Sequence, residues 1–356
     1  MVKYFGKSET AGMFISEKSF QYGKGKKYTG SEIRTLKTTD THQREYCYVW
    51  MLLELANEIG YKLGNIQKYI VAYKVCSGMP ITKKLPVRVT PEFTSILAHF
   101  MGDGTDKKTR DGTTSYTQYN DFGLENFQKK IINVFGKPER CIISKKYHTV
   151  FVPKSITSIL KKCFSVKSFG TYESSVPEIL YSMPDEHKLA FLVAFLVDEG
   201  TIYDTVSFRL ANRKLVEQVR KIAISLGYIC SGLLTSRNKN GNVYGFSISN
   251  YSLRKLSNDI KRLSKKYPTC NLTQKQEHFD YLTSLGRSSI PKREVNKTKE
   301  LLLVLLKDEP KTVLELAKLA GVCRRTTRGH LDDMERLKKV RVIGKKSMGA
   351  KLWLAI

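Results

Sequence analysis

The sequence has few acidic residues for its length, and this imbalance is its first informative property. It carries 33 Asp and Glu against 61 Lys and Arg, a net charge of +28. Such a chain is typical of proteins with a polyanionic partner, with nucleic acid the first candidate. The alternative is a solvated basic surface that has no specific ligand. The cations occur throughout the chain, which excludes a neutral protein with one basic tail.

Several patterns that mark common protein classes are missing. The seven Cys include no Cys-x-x-Cys pair, which argues against a disulfide framework and a structural zinc site. No apolar run reaches about 18 residues, so no membrane-spanning helix is expected, and the start MVKYFGKSET has no apolar signal-peptide core. Without a GxxxxGK[ST] loop, nucleotide hydrolysis is not expected. We expect a soluble cytoplasmic protein in a reducing compartment, with no membrane partner.

Stretches rich in Gly, Pro and polar residues separate the chain into four predicted regions. Residues 1–90 form a basic, partly helical extension, in which Thr39 and Asp40 cap a helix that ends at Gly60. Two related segments follow at 91–180 and 181–288, where helices alternate with hairpins. A polar stretch containing Pro291 predicts a linker to a separate module at 289–356. The fold class expected is α+β.

The two middle segments are internally similar. Phe93–Thr105 and Leu189–Thr201 each read as an apolar helix that ends in an acid, then Gly, then Thr. Each is followed by a β-prone stretch, an amphipathic helix, two further β-prone runs and a closing helix. The order helix, strand, helix, hairpin, helix therefore occurs twice.

The acids at the two helix ends are candidate metal ligands. Small residues four apart, such as Ala98 and Gly102, allow close helix packing, which would bring Asp103 and Glu199 together. Two adjacent carboxylates repel one another unless a cation lies between them, and Mg²⁺ or Mn²⁺ fits such oxygen ligands. The backbone carbonyls of Gly102 and Asp198 are further candidate ligands. The alternative is that both acids only start turns with the glycines that follow.

These motifs resemble the signature helices of the LAGLIDADG homing endonucleases. Ile96–Gly104 and Leu192–Gly200 stand where the family has its two signatures, as in its single-chain, two-repeat form. The resemblance implies duplicated αββαββα repeats with pseudo-twofold symmetry in a monomer. It also implies two curved antiparallel sheets in the major groove of duplex DNA, and paired acids that hold divalent metal at the scissile phosphates.

The resemblance is incomplete in two respects. His99 stands where the family usually has an aliphatic residue, and Met101 and Val197 stand where an acid is frequent. The family also places a basic or amide residue near each acid to position water. The candidates for this role are Gln118 and Lys107 in the first repeat and Asn212 and Arg213 in the second. Gln118 is the candidate we assign to catalysis.

Other cations in the repeats are candidate DNA contacts. Strand residues alternate between faces, so one face of each sheet could read bases or phosphates, and the alternative is an ordinary solvated face. The hairpin turn around Asn238–Asn242 has a basic tip. The expected DNA-binding cations of the repeats are Lys107, Arg209, Arg213, Arg237 and Lys239.

The carboxyl-terminal pattern resembles a winged helix. Three helices are expected from Lys297, Val313 and Arg324, followed by a hairpin. The third helix opens with the cations of a recognition helix, and the hairpin loop would be the wing. The expected DNA contacts are Arg324, Arg325, Arg328, Lys345 and Lys346. The alternative is a dimerisation module, since winged helices also bind proteins.

Together these features predict a site-specific double-strand DNA endonuclease that requires Mg²⁺ or Mn²⁺ and is associated with the nucleoid. A DNA-binding transcriptional regulator that does not cut is the main alternative. Retention of both acids favours cleavage, whereas the appended winged helix favours regulation. An RNA-splicing maturase is a third possibility that the aromatic content does not decide.

Overall fold

The computed structural model describes residues 9–12, 47–48, 62, 70, 72–75, 80–82, 85–105, 113–139, 141–238, 241–284, 296–346 and 350–356. The chain divides into two compact units, Met1–Phe195 and Leu196–Ile356, and the division falls within one helix. Both units combine helices with small antiparallel sheets. None of the helices in these ranges has both the length and the apolarity needed to cross a bilayer.

Four short strands form an antiparallel sheet near the amino terminus. They are β1 (Glu9–Gly12), β2 (Cys47–Tyr48), β3 (Ala72–Val75) and β4 (Ile81–Thr82), in the order β2-β1-β3-β4. The predicted helix ending at Gly60 lies outside the described residues except at Cys47–Tyr48. These two residues form a strand because their backbone pairs with Thr10 and Ala11.

The rest of the first unit is built around a helix that is buried on all sides. Its elements are α1 (Pro91–Gly102), β5 (Gly104–Thr105), β6 (Thr113–Thr117), α2 (Asp121–Phe135), β7 (Ile142–Ser144), β8 (Thr149–Pro153), α3 (Lys154–Phe164), α4 (Ile179–Ser182) and the start of α5 (Asp185–Glu199). Thr90 caps α1, and Pro91 occupies its first turn, where a missing N–H costs nothing. Every residue from Phe93 to Met101 is buried. Such a helix forms the centre of a core.

The polar residues of α1 are satisfied inside this core. Lys130 of α2 places Nζ 2.6 Å from Ser95 Oγ and 2.9 Å from His99 Nε2. Burial, followed by the charge of Lys130, holds the pKa of His99 well below its usual value. The Thr94 hydroxyl lies 3.1 Å from the carbonyl oxygen of His187 in α5. Buried polar groups of this kind need such partners to avoid a desolvation penalty.

The amino-terminal sheet packs on the end of α2. The Tyr73 hydroxyl donates to the carbonyl of Phe135 at 2.8 Å, and burial raises the pKa of that tyrosine. The N–H of Thr82 donates to the carbonyl of Lys137 at 2.9 Å. Residues 72–75 and 80–82 therefore belong to the first unit's packing, although they precede the predicted repeat.

In the second unit, α5 leads into another four-stranded sheet. Its elements are β9 (Gly200–Ile202), β10 (Val206–Leu210), α6 (Arg213–Ser225), β11 (Leu234–Asn238), β12 (Gly241–Ile248), α7 (Leu253–Lys266) and α8 (Gln276–Ser284). Its strand order, β9-β10-β12-β11, matches the order β5-β6-β8-β7 of the first unit. The helices α2 and α6 begin alike, because the side chains of Asn120 and Asn212 each accept from the N–H three residues later.

A three-helix module with a β-hairpin completes the second unit. Its elements are α9 (Lys297–Leu305), β13 (Lys311–Thr312), α10 (Val313–Ala320), α11 (Arg324–Arg336), β14 (Val340–Lys345) and β15 (Lys351–Ala355). The strand order is β13-β15-β14. Thr312 and Glu315 form a reciprocal capping box at the start of α10, and Gly321 ends that helix in a left-handed conformation. Trp353 is fully buried in the core of this module.

Candidate functional site

Asp103 lies immediately after the buried helix α1, on the surface. Its N–H donates to the carbonyl of His99 at 3.1 Å, which closes the helix, and its side chain is exposed. Its carbonyl accepts from the N–H of Thr117 at 3.1 Å. The end of α1 is therefore tied to β6, and the carboxylate is displayed at that junction.

Gly104 allows the chain to fold back against α1. A Cβ at this position would lie 2.4 Å from Phe100 Cα and 2.8 Å from the Phe100 carbonyl oxygen. Any side chain would collide with the backbone of the helix that the chain has just left. Close approach, in addition to turn formation, therefore explains why glycine follows Asp103.

The end of α5 repeats this arrangement within the second unit. Glu199 is the last helical residue and is half-buried, and Gly200 begins β9. A Cβ on Gly200 would lie 2.7 Å from the carbonyl oxygen of Leu196, again four residues earlier. The glycine that follows each acid is thus required by the same backbone packing in both units.

A lysine that the sequence interpretation missed lies at the end of α5. Lys275 Nζ donates to the carbonyl of Leu196 at 2.9 Å and to that of Gly200 at 2.6 Å. These carbonyls flank Glu199 in the chain, so the ammonium places positive charge at the negative end of the helix dipole. No local pattern marks Lys275, because its partners are 79 and 75 residues away in sequence.

Each unit has oxygen atoms of the kind that a hard divalent ion prefers. Asp103 follows the carbonyl of Gly102 at the end of α1, and Glu199 follows the carbonyl of Asp198 at the end of α5. Mg²⁺ keeps several waters and is commonly bound through one or two carboxylates. Within the described ranges no group of three or more His, Cys, Asp or Glu that could hold a metal ion is found.

The predicted water-positioning residues are placed differently from one another. The Gln118 side-chain oxygen accepts from the N–H of Tyr119 at 3.0 Å, directly after the strand that is bonded to Asp103. Asn212 is a buried helix cap, and Arg213 pairs with Glu217 at 2.8 Å. Lys107 lies outside the described residues. Of these candidates, Gln118 is the one that directly follows a residue, Thr117, whose N–H is bonded to Asp103.

The sheet of the second unit has an open face of hydroxyl and apolar side chains. Val206, Phe208 and Phe246 are buried on the other face, whereas Ser207 and Arg209 alternate with them and are at least partly exposed. A shallow concavity on this sheet is lined in part by Ser207, Arg209, Leu234, Ser236, Val243 and Ser247. Such a face offers hydrogen-bonding and apolar groups to a flat ligand.

Arg209 crosses the open face because its neighbour has no side chain. It lies directly opposite Gly245 in the sheet. A Cβ there would lie 3.0 Å from Arg209 Cγ and 2.5 Å from the Phe208 carbonyl oxygen. Arg237 is exposed near the end of β11, and Lys239 lies outside the described residues.

Arg324 is engaged within the second unit. Its NH1 donates to the carbonyl of Ile202 at 3.2 Å and to His278 Nδ1 at 3.1 Å, and its guanidinium lies 4.0 Å from the centre of the Tyr203 ring. The N–H of Arg325 lies 3.3 Å from Asp204 Oδ1. The beginning of α11 is therefore held against the turn between β9 and β10.

The remaining predicted cations of this module differ in their partners. Arg328 pairs with Asp332 at 2.9 Å and lies 5.2 Å from the centre of the Trp353 ring. Lys346 pairs with Glu315 at 2.9 Å. The backbone N–H of Thr312, and then Lys346, lower the pKa of Glu315 to about 2. Lys345 is exposed beside this pair.

Comparisons with known proteins give structural similarities only. No family model and no curated protein matches the chain. A crystal structure of I-DmoI in complex with DNA and Mn is 16% identical, with a TM-score of 0.38 over 49% of this chain and 97% of that one. A structure of mesophilic variants from the homing endonuclease I-DmoI is 17% identical, with a TM-score of 0.37 over 48% and 94%. Full-length DUF199/WhiA from Thermatoga maritima is 12% identical, with a TM-score of 0.35 over 71% and 93%.

Proposed function

We propose that this protein is a site-specific double-strand DNA endonuclease of homing type, with two LAGLIDADG-like repeats and a winged-helix module. One observation carries the proposal. In each unit a buried helix ends in an acid followed by a glycine that packs on the helix backbone, and the chain continues into a sheet of the same strand order. Because this helix end with its acid occurs twice, the protein has one candidate acid for the cleavage of each DNA strand.

In the proposed reaction Asp103 and Glu199 are the metal-binding carboxylates, with the carbonyls of Gly102 and Asp198 as further oxygen ligands. Bound Mg²⁺ or Mn²⁺ supplies a Lewis acid and a water of lowered pKa for phosphodiester hydrolysis. Gln118 orients the attacking water. Lys275 holds positive charge beside Glu199, where it stabilises the negative charge that develops on the phosphate.

Duplex DNA is the proposed partner of the sheet faces. The Ser and Thr hydroxyls of the open faces can donate to or accept from base edges, and Arg209 can make a bidentate contact with guanine. Arg213, Arg237, Lys107 and Lys239 are proposed to contact phosphates. The net charge of +28 supports a strong, salt-dependent interaction with the backbone.

A DNA-binding regulator that does not cut is the second candidate. The observation that favours it is Gln118, whose side-chain oxygen already accepts a hydrogen bond from the next residue. A site with no group positioned to orient water would retain binding and lose hydrolysis. A role as an RNA-splicing maturase has no separate support from the described residues.

Random duplex DNA incubated with the protein in Mg²⁺, and separately in Ca²⁺, tests these candidates. Bound and cut molecules are sequenced for the wild type and for an Asp103→Asn/Glu199→Gln double variant. The matched control is Glu125→Gln/Glu178→Gln, which removes the same charge from two exposed positions. Discrete ends that depend on Mg²⁺ and are lost only in the first variant are the expected result.

Two other results would separate the alternatives. An enriched bound motif without cut ends, unchanged in the Asp103→Asn/Glu199→Gln variant, would identify a regulator. Equal cutting by that variant and by the control would show that the two acids do not hold the metal, and would contradict the proposed site.

A further inference from the structure

The third helix of the carboxyl-terminal module offers less free positive charge than its sequence suggests. Its four arginines stand beside three acids, Asp332, Asp333 and Glu335. Arg328 pairs with Asp332, and Arg336 pairs with Asp333. Arg324 faces Tyr203 and His278 rather than solvent. The charge of α11 is therefore largely balanced within the protein.

The hairpin that follows α11 has the opposite character. Residues 337–356 contain six Lys and Arg and no acid. Five of these cations are exposed, one of which, Lys346, pairs with Glu315, and Lys351 is half-buried against Trp353. They are Lys338, Lys339, Arg341, Lys345, Lys346 and Lys351. Among the described parts of the module, positive charge is thus concentrated on β14, β15 and the turn before them.

The register of the hairpin places two of these lysines face to face. Lys345 lies directly opposite Lys351 across the two strands. Like charges in directly opposite positions destabilise a sheet. The pairing also shifts between Val342 and Gly344, an irregularity that re-aims the side chains at the end of a strand. The register therefore brings two cationic residues into opposite positions, where one bound anion could contact both.

We propose that the β14–β15 hairpin, rather than α11, is the surface through which this module binds the phosphate backbone of duplex DNA. The inference rests on the proposed DNA partner and specifies how the module meets it. Lysines act on phosphates as point charges, and phosphate contacts carry no sequence information. The module then adds affinity to the target that the sheets select, while Arg324 fixes the module to the second unit.

The test measures binding of the full-length protein to a labelled random-sequence duplex by fluorescence anisotropy, in metal-free buffer over a series of KCl concentrations. The Lys345→Gln/Lys351→Gln variant should bind more weakly, with a slope of log affinity against log salt that is shallower by about 1.8, or about 0.9 per phosphate contact. The matched control Lys265→Gln/Lys307→Gln removes two exposed cations elsewhere and should keep the wild-type slope. Arg324→Gln should also keep it.

A stability measurement guards against a folding artefact. Since Lys345 and Lys351 repel one another, the hairpin variant should unfold at the same urea concentration as the wild type or at a higher one. An unchanged salt slope in the hairpin variant, with a shallower slope for Arg325→Gln, would overturn the inference in favour of α11. Tighter binding of the wild type to duplex RNA than to duplex DNA would also overturn it.

The inference and the proposed function can fail separately. If the protein binds duplex DNA through the hairpin but does not cut it, the proposed endonuclease activity is wrong and the proposed hairpin surface stands. If the wild type binds no duplex DNA at any salt concentration, both the proposed function and the hairpin surface are wrong. If the wild type cuts DNA and the hairpin variant keeps the wild-type dependence of affinity on salt, only the hairpin surface is contradicted.

Discussion

At the scale of single residues, the two glycines after the acids are the best explained features of the candidate site. The acid–Gly–Thr pattern is evident in the sequence, but the sequence explains the glycine only as a turn former. The structure adds a second reason, because Gly104 and Gly200 each touch the backbone four residues earlier. That contact depends on the path of the chain after the helix, and local propensity does not encode it.

Replacing either glycine by alanine should therefore destabilise the unit that contains it. For Gly104→Ala and Gly200→Ala we expect a loss of about 1 to 3 kcal/mol in the free energy of unfolding, because the methyl group overlaps backbone atoms. Urea unfolding followed by circular dichroism measures the loss. Gly232→Ala is the control, since its Cβ would meet nothing within 4 Å, and it should change stability by no more than about 0.5 kcal/mol. Equal effects at all three positions would contradict the close-approach explanation.

At the scale of helices and strands, the sequence predicts elements better than it predicts their contacts. The start of α10 follows from Thr312 and Glu315, and the start of α11 follows from the turn at Gly321, because caps and turns act over a few residues. Lys275 is different, because it reaches the end of α5 from a short helical turn 75 residues further along the chain. Only the folded path brings that ammonium to the carbonyls of Leu196 and Gly200, so the sequence pattern could not reveal it.

Lys275 should have separable effects on stability and on the proposed reaction. Lys275→Met leaves two helix-end carbonyls without this donor, which should cost about 1 to 3 kcal/mol of stability. If the protein cuts DNA, kcat should fall by about 100-fold with a smaller change in KM, because charge stabilisation in the transition state is lost. The two quantities are measured by urea unfolding and by single-site cleavage kinetics.

Two further variants make the role of Lys275 testable. Lys275→Arg retains both the donors and the charge, and should recover most of the stability and part of the cleavage rate. Lys261→Met removes an exposed lysine of α7 and should affect neither quantity. A Lys275→Met protein that is less stable but cleaves at the wild-type rate would restrict the lysine to a structural role.

At the scale of the whole molecule, net charge predicts the kind of partner but not where the partner binds. Composition alone gives +28, and the arginine-rich start of α11 suggests a recognition helix. The structure directs Arg324 instead to the Ile202 carbonyl, 122 residues away, and to His278. Sequence patterns show which residues are cationic, whereas the tertiary fold decides which cations remain exposed.

Arg324 should hold the carboxyl-terminal module to the rest of the second unit. Arg324→Met removes its hydrogen bonds to Ile202 and His278 and its contact with the Tyr203 ring. Amide hydrogen exchange in 313–336 should then become faster, because local opening of the module costs less free energy. Arg336→Met is the control, since this exposed arginine pairs with Asp333 of the same helix and such surface pairs contribute little.

Acid should weaken the same attachment in the wild type. Because Arg324 always donates, His278 Nδ1 must accept, and so the imidazole is neutral in the attached state. Burial and then the charge of Arg324 lower the pKa of His278, while Glu277 and a hydrogen bond to the Ile202 backbone oppose this shift and Lys318 adds to it. The stabilisation is present above the pKa of a free histidine and is lost as pH falls below about 6.5, where the detached state takes up a proton first. Hydrogen exchange in 313–336, compared at equal intrinsic exchange rates, should rise in the wild type between pH 7 and pH 5 by more than in His278→Gln. An equal rise in both proteins would show that His278 does not control the attachment.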